Sequence, residues 1–428
     1  MPIRRSPLPR RLAALLCGAL LLAGCNAPAP TSSPGPSAAA PSEPAASGTP
    51  APPAAEVYAS IRAAVEAIRG LEPTADVDPV TIDEAQLRTN LEAEFDAENV
   101  ASDLKFSEET LITLGLLPPN SSLRALTLDF QAGQVAGYYS PDKKELFVVS
   151  RSGELGAPEE VTYAHEFTHQ LTDQRFDLSK LLGGASNESD RALAQLALIE
   201  GDAVSVQTTW TIQNLTPQQM GELLAASLDP EAIAALQRAP AYLRETALFP
   251  YQNGLAFVTA LASSGGYDAV DAAYAEPPAS TEQVLHPEKY AAGEAPIKVD
   301  LPAGLAKSMG AGWTEAGQDT LGEFILRLWL TQNGVSLATA SAAVAGWGGD
   351  RLVLLRGPSG ALTVGLVTTW DTKADAEEFG TAAASAGKTL GSDRAIANIP
   401  SSNSVAIAIG PEADRLLAAL APGGSNEQ

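Results

Sequence analysis

Apolar residues recur at three- and four-residue spacing over 57–69, 83–97 and 107–116. That period predicts three helices. Pro118-Pro119-Asn120 breaks the run. The texture then shortens. Residues 123–130, 135–139 and 145–149 are rich in β-formers and predict three strands, the last two joined by a turn over 140–144. A helix is expected next, with Pro158 at its start and Glu159 and Glu160 in its first turn. After a loop at Gly183-Gly184, a second long helix covers about 189–213. The pattern stays mostly helical to about 346, and Thr216-Pro217 and Asp229-Pro230 mark two helix starts. The tail differs. Residues 351–356 and 362–370 read as paired strands turning at 357–360, followed by a helix over 372–386, a strand over 404–409 and a helix over 411–420. The fold class expected is α+β and mostly helical. A short antiparallel sheet precedes the helix that starts near 158, a helical second half follows, and a small α+β module spans 350–421.

Composition narrows the picture. The 428 residues carry 27 Lys+Arg against 51 Asp+Glu, a formal net charge of -24. Such a balance argues against nucleic acid as a partner. Two cysteines exclude a disulfide scaffold. A hydrophobic fraction of 45% with 18% charged residues is enough to bury a core, so wholesale disorder is excluded.

The first residues have an organisation of their own. Arg4, Arg5, Arg10 and Arg11 precede an uninterrupted apolar stretch over 12–24, too short for a helix spanning a bilayer core of ~30 Å. Leu22-Ala23-Gly24-Cys25 at its end resembles the lipobox of bacterial lipoproteins. That resemblance implies a signal peptide over 1–24, acylation of Cys25 and an extracytoplasmic, lipid-anchored protein. Cys17 would leave with the signal, so no intramolecular disulfide could form. An ordinary secretory signal with an incidental Cys, or twin-arginine export, are the other readings. Residues 26–55 are Ala, Pro, Ser, Gly and Thr with almost no charge, so 25–55 reads as a tether. The main domain is then 56–349, with an N-terminal helical block at 56–117. The apolar run at 321–330 contains Glu323 and Arg327 and reads as a buried helix of a soluble fold.

The chemistry centres on His165-Glu166-Phe167-Thr168-His169. On a helix, residues i and i+4 share one face. Two imidazoles so placed can bind Zn²⁺, and Glu166, one step round, is free to act on a proton instead. With three histidines in the chain, chance produces this motif on the order of 0.001–0.002 times, so the match is informative. A zinc site needs a third protein ligand. Glu200 closes the apolar run 193–199 on the next long helix, where a buried carboxylate needs a cation beside it. An exposed Glu near a helix break at Gly201 is the plainer alternative. His286, the remaining histidine, is the second candidate.

The pattern resembles the zincin metallopeptidases, and among them the glutamate-zincins, over about 135–210. The resemblance implies His165, His169 and Glu200 as ligands of one zinc ion per chain and Glu166 as general base. It also implies an edge strand before the motif helix that holds an extended peptide, with 135–139 or 145–149 in that place. Several members carry an Asp four residues after the ligand Glu, orienting a ligand His. Position 204 is Val here, so Asp202, Asp173 or a backbone carbonyl is expected to take that part. The resemblance also calls for an oxyanion donor, for which Tyr251 or His286 is the candidate. Tyr251 also reads as a packing aromatic after Pro250. The junction 346–351 (Gly-Trp-Gly-Gly-Asp-Arg) is expected to be a turn with a packing Trp, or else a substrate-contact loop. The function implied is a membrane-tethered zinc peptidase acting on a protein or peptide. The alternatives are a silent zincin-like lipoprotein that binds or scaffolds, and a zinc hydrolase of a non-peptide amide.

Overall fold

A computed structural model describes residues 53–150, 155–183, 188–391, 393–399 and 402–421. The leader, Cys25 and nearly all of the tether lie outside the described residues. The chain is α+β and mostly helical, as the periodicity implies.

Helix α1 (Ala54–Arg69) buries Ile61, Val65 and Arg69 and stops at Gly70, which takes the left-handed conformation at φ 74. Strand β1 (Pro79–Ile82) and helices α2 (Glu84–Glu98), α3 (Ala101–Thr113) and α4 (Leu123–Gln134) follow. Helix α4 corrects the strand expected at 123–130. Leu123, Thr127, Phe130, Gln131 and Gln134 are buried at helical spacing, and the Ser122 hydroxyl accepts from the Ala125 N–H as an N-cap. The β-forming residue types there fill a helical stripe.

Strands β2 (Gly137–Ser140) and β3 (Glu145–Val149) form the expected antiparallel hairpin, with Tyr138 opposite Phe147. β1 adds to the other side of β3 in parallel, giving the order β1-β3-β2, so this sheet is mixed. Helices α5 (Ala157–Phe176), α6 (Leu178–Gly183), α7 (Ser189–Asn214), α8 (Pro217–Ser227), α9 (Pro230–Arg238) and α10 (Ala241–Ala275) come next. α10 bends at Gly265 and Gly266, the latter at φ 67. Short helices α11 (Thr281–Leu285), α12 (Pro287–Ala291) and α13 (Leu305–Met309) lead to strand β4 (Thr314–Asp319), then α14 (Gly322–Gln332) and α15 (Leu337–Val344).

The tail contains β5 (Trp347–Arg356), β6 (Leu362–Trp370), α16 (Lys373–Gly387), β7 (Arg394–Ile399), β8 (Ser404–Ile409) and α17 (Ala413–Leu420). Its five-stranded antiparallel sheet runs β4-β5-β6-β8-β7. Neither β4 nor β7 is among the strands the pattern predicts: β4 lacks an apolar face, and β7 buries the small side chains Ala395 and Ala397. The 346–351 junction is no turn. Trp347 already belongs to β5 and is fully buried, with its indole N–H donating to Asp350 at 3.1 Å. One apolar cluster joins α7, α10 and α14 to the inner face of this sheet through residues such as Leu198, Phe257, Trp329, Leu352 and Ile407. The C-terminal module therefore shares a core with the rest.

Two helices position the candidate site. The thirteen residues Val161 to Asp173 of α5 are all buried, as expected for a helix packed on every side. α7 lies against it and against α10. The α7–α10 contact is backbone to backbone: a Cβ on Gly201 would come within 2.2 Å of the Gly254 carbonyl oxygen, and one on Gly254 within 2.1 Å of that of Ala197.

Candidate metal centre

His165 and His169 share one face of α5, and Glu200 reaches them from α7. His165 Nε2 and His169 Nε2 are 2.9 Å apart. Glu200 Oε2 lies 3.2 Å from the first and 3.3 Å from the second. On the other side of its ring, His165 Nδ1 is 2.9 Å from Gln207 Oε1. An amide oxygen only accepts, so Nδ1 carries the hydrogen. In the neutral imidazole, Nε2 then presents a lone pair to the triangle. Burial raises the Glu200 carboxyl, and positive charge on the facing His169 and His165 rings would more than offset it, down to about 2; with those rings neutral, that charge has to come from elsewhere. Three acceptors face one another, and among the described residues no Lys or Arg pairs with Glu200. A bound proton or a metal ion at the centre reconciles them.

The donor set fits zinc. Two imidazoles and one carboxylate form a common zinc-binding set, and ligands at about 2.0–2.1 Å from a tetrahedral ion sit about 3.3 Å from one another. The observed separations of 2.9–3.3 Å are close to that. The three ligands are 1–8% exposed.

Glu166 is 2% exposed and lies beside the triangle. Burial pushes its carboxyl up to about 8. Glu200 adds to the rise, while His165 and the Tyr139 backbone N–H oppose it. β2 lies directly against this residue, because a Cβ on Gly137 would meet Thr162 Cγ2 at 2.5 Å and Glu166 Cγ at 3.6 Å. β2 is the edge strand of its sheet, but all four of its residues are buried. Tyr251 lies beside His165. Its ring stacks on that of His165 at 6.1 Å between centroids, and it forms an apolar cluster with Phe130 and Ala247 against which Val204, Leu236 and Ala239 pack.

Three expected residues are elsewhere. His286 Nε2 pairs with Glu323 at 3.1 Å and its Nδ1 lies 3.6 Å from Glu288. The metal-competent group contains Glu200 and not His286. Asp202 faces Arg69 and Tyr274. Asp173 accepts from the Tyr139 hydroxyl at 2.8 Å, Lys144 Nζ at 2.6 Å and the Leu178 N–H. The part expected of Asp202 or Asp173 falls to Gln207, which the sequence reading missed. The signal was present, since Gln207 lies two helical turns after Glu200, on the same face of α7.

The start of α7 is held from a distant part of the chain. Its own N-cap residue, Glu188, makes no side-chain cap. Asp319 at the end of β4 caps it, accepting from the Ser189 N–H at 2.9 Å and from the Ser189 hydroxyl. Asp190 accepts from the Thr281 hydroxyl and N–H, and Asp350 from the Leu321 and Gly322 N–H groups at 2.8 Å each.

A second cluster of potential ligands joins Glu282, Glu294 and Asp371. Lys289 Nζ occupies it, at 2.6, 2.9 and 2.8 Å from the three carboxylates.

Residues 309–422 match the family model of a domain of unknown function, DUF8575. No curated protein and no solved structure matches the chain. The match begins just before β4 and so takes in the whole five-stranded sheet, Asp319 included.

Proposed function

We propose that the chain is a zinc metallopeptidase, exported and anchored to a bacterial membrane through acylated Cys25. The observation that carries the reading is the convergence of His165 Nε2, His169 Nε2 and Glu200 Oε2, with no Lys or Arg among the described residues to neutralise them and Glu166 alongside. Bound zinc would supply a Lewis acid that polarises a carbonyl and a water. His165, His169 and Glu200 hold the ion, and Gln207 fixes the His165 ring and tautomer. Glu166 is the proton carrier: its carboxylate, which a neighbouring zinc ion would favour over the protonated form, takes a proton from the attacking water and returns it to the leaving amine. Tyr251, beside His165, is placed to steady a developing oxyanion. An acidic body disfavours acidic substrates at long range, weakly at physiological salt.

The test is Glu166→Gln. Peptide cleavage should fall about 10²–10⁴-fold while one zinc per chain is retained. Zinc binding with no cleavage by the wild type across a peptide library would overturn the enzyme and favour a silent lipoprotein that binds a partner. The low exposure of His165, Glu166, His169 and Glu200, 1–8%, is the observation on that side.

A further inference from the structure

Arg69 is the last residue of α1, where an arginine ordinarily extends into solvent and interacts with the helix dipole. Here it points inward and its side chain is fully buried. Nε donates to Asp202 on α7 at 3.0 Å and Nη2 to Asp271 on α10 at 2.5 Å. Its guanidinium lies over the Tyr267 ring at 4.7 Å, and Tyr274 closes the network with a hydroxyl donating to Asp202 at 3.0 Å. Removing the guanidinium and the Asp202 carboxylate from water is costly, with Asp271 left partly exposed, and a packed apolar core does as well for stability. A network of this kind fixes an arrangement.

What it fixes follows from three consecutive residues. Glu200 faces the histidines. Gly201 sits flush against the Gly254 backbone. Asp202, about 200° round the helix from Glu200, is held from behind by Arg69. α7 is thereby locked in rotation and translation at the turn that carries the third ligand. We propose that Arg69 is a positioning residue for the metal centre, acting through Asp202 to hold Glu200 Oε2 at its 3.2 and 3.3 Å from the two histidine nitrogens. The proposal rests on the reading that His165, His169 and Glu200 hold zinc. It gives the N-terminal helix a part in the site.

The experiment is zinc affinity by chelator competition, with the visible absorption of the Co²⁺-substituted protein, on the full chain. Arg69→Met should weaken zinc binding 10- to 100-fold and change the Co²⁺ spectrum. Arg69→Met leaves Asp202 buried with only the Tyr274 hydroxyl and no counter-ion, so the double variant Arg69→Met/Asp202→Leu separates position from stability. It should recover thermal stability without recovering zinc affinity. Arg69→Lys should recover part of the affinity, since one ammonium cannot match the fork that serves both carboxylates. Unchanged affinity and spectrum in Arg69→Met, or full recovery of both in the double variant, would overturn the proposal. A wild type that binds no zinc would overturn the underlying reading instead.

Discussion

Two places among the described residues gather three side chains able to bind a metal, and they are resolved in opposite ways. At Glu282, Glu294 and Asp371 the fold supplies the cation, with Lys289 Nζ within 2.9 Å of all three. At His165, His169 and Glu200 no Lys or Arg among the described residues does so, and the three buried groups need a shared proton or a metal ion between them. The difference lies in what surrounds the ligands. The first cluster sits on short helices and connecting chain, with Glu294 and Asp371 substantially exposed, where a long flexible lysine can reach in. The second sits between two long helices, with Gln207 as a fixed supporting partner. A cluster of carboxylates is therefore weak evidence for a metal until the built-in cations have been counted.

The comparison can be broken most sharply at the third ligand. Glu200→Ala should abolish stoichiometric zinc by elemental analysis, and Glu294→Gln should leave it at one per chain. Zinc lost in the second variant and kept in the first would reverse the assignment. Next in size, Lys289→Met strands the buried Glu282 and should cost roughly 3 kcal/mol in denaturant unfolding. Added Mg²⁺ or Ca²⁺ should then raise the melting temperature of this variant and leave the wild type unmoved, because the lysine no longer occupies the cluster. Gln207→Ala should weaken zinc binding about 10–100-fold with little change in fold; unaltered affinity would show that the His165 ring needs no such partner.

The smallest effect is electrostatic and lies on the lysine side. The hydrogen bond from His286 to Glu323 raises the imidazole above its ordinary value, against the pull of burial. A raised histidine contributes stability that is fully present below the unfolded pKa of ~6.5 and is lost as pH rises through the folded value. With a partly exposed ring the contribution is under about 1 kcal/mol. His286→Gln should therefore flatten the stability profile from pH 6 to 8, and an unchanged slope would remove His286 from the account.

Much of the ligand set was legible because its residues lie close in sequence or on recognisable elements. A helical spacing put His165 and His169 together, and an apolar run ending in an acid marked Glu200. The supporting partners were not legible. Whether Asp202 faces a histidine or an arginine 133 positions away depends on how α1 packs, and no local pattern in α7 carries that information. For the same reason β4 was missed. Its Thr-Glu-Ala-Gly-Gln-Asp sequence has no apolar face, and it becomes a strand by pairing with β5. The segment 123–130 failed in the other direction, where β-forming residue types concealed a helical burial period.

The in-trans cap on α7 has a genetic consequence. Asp319 stands 119 positions after Glu200 in the chain, yet it finishes the first turn of the helix that presents that ligand. A stop codon placed after residue 310 would leave every proposed metal ligand encoded and still undo the centre, because the N–H groups opening α7 would lose their acceptor and the helix would fray towards Glu200. Loss of zinc, and not only loss of the tail, is the phenotype to expect from such a truncation.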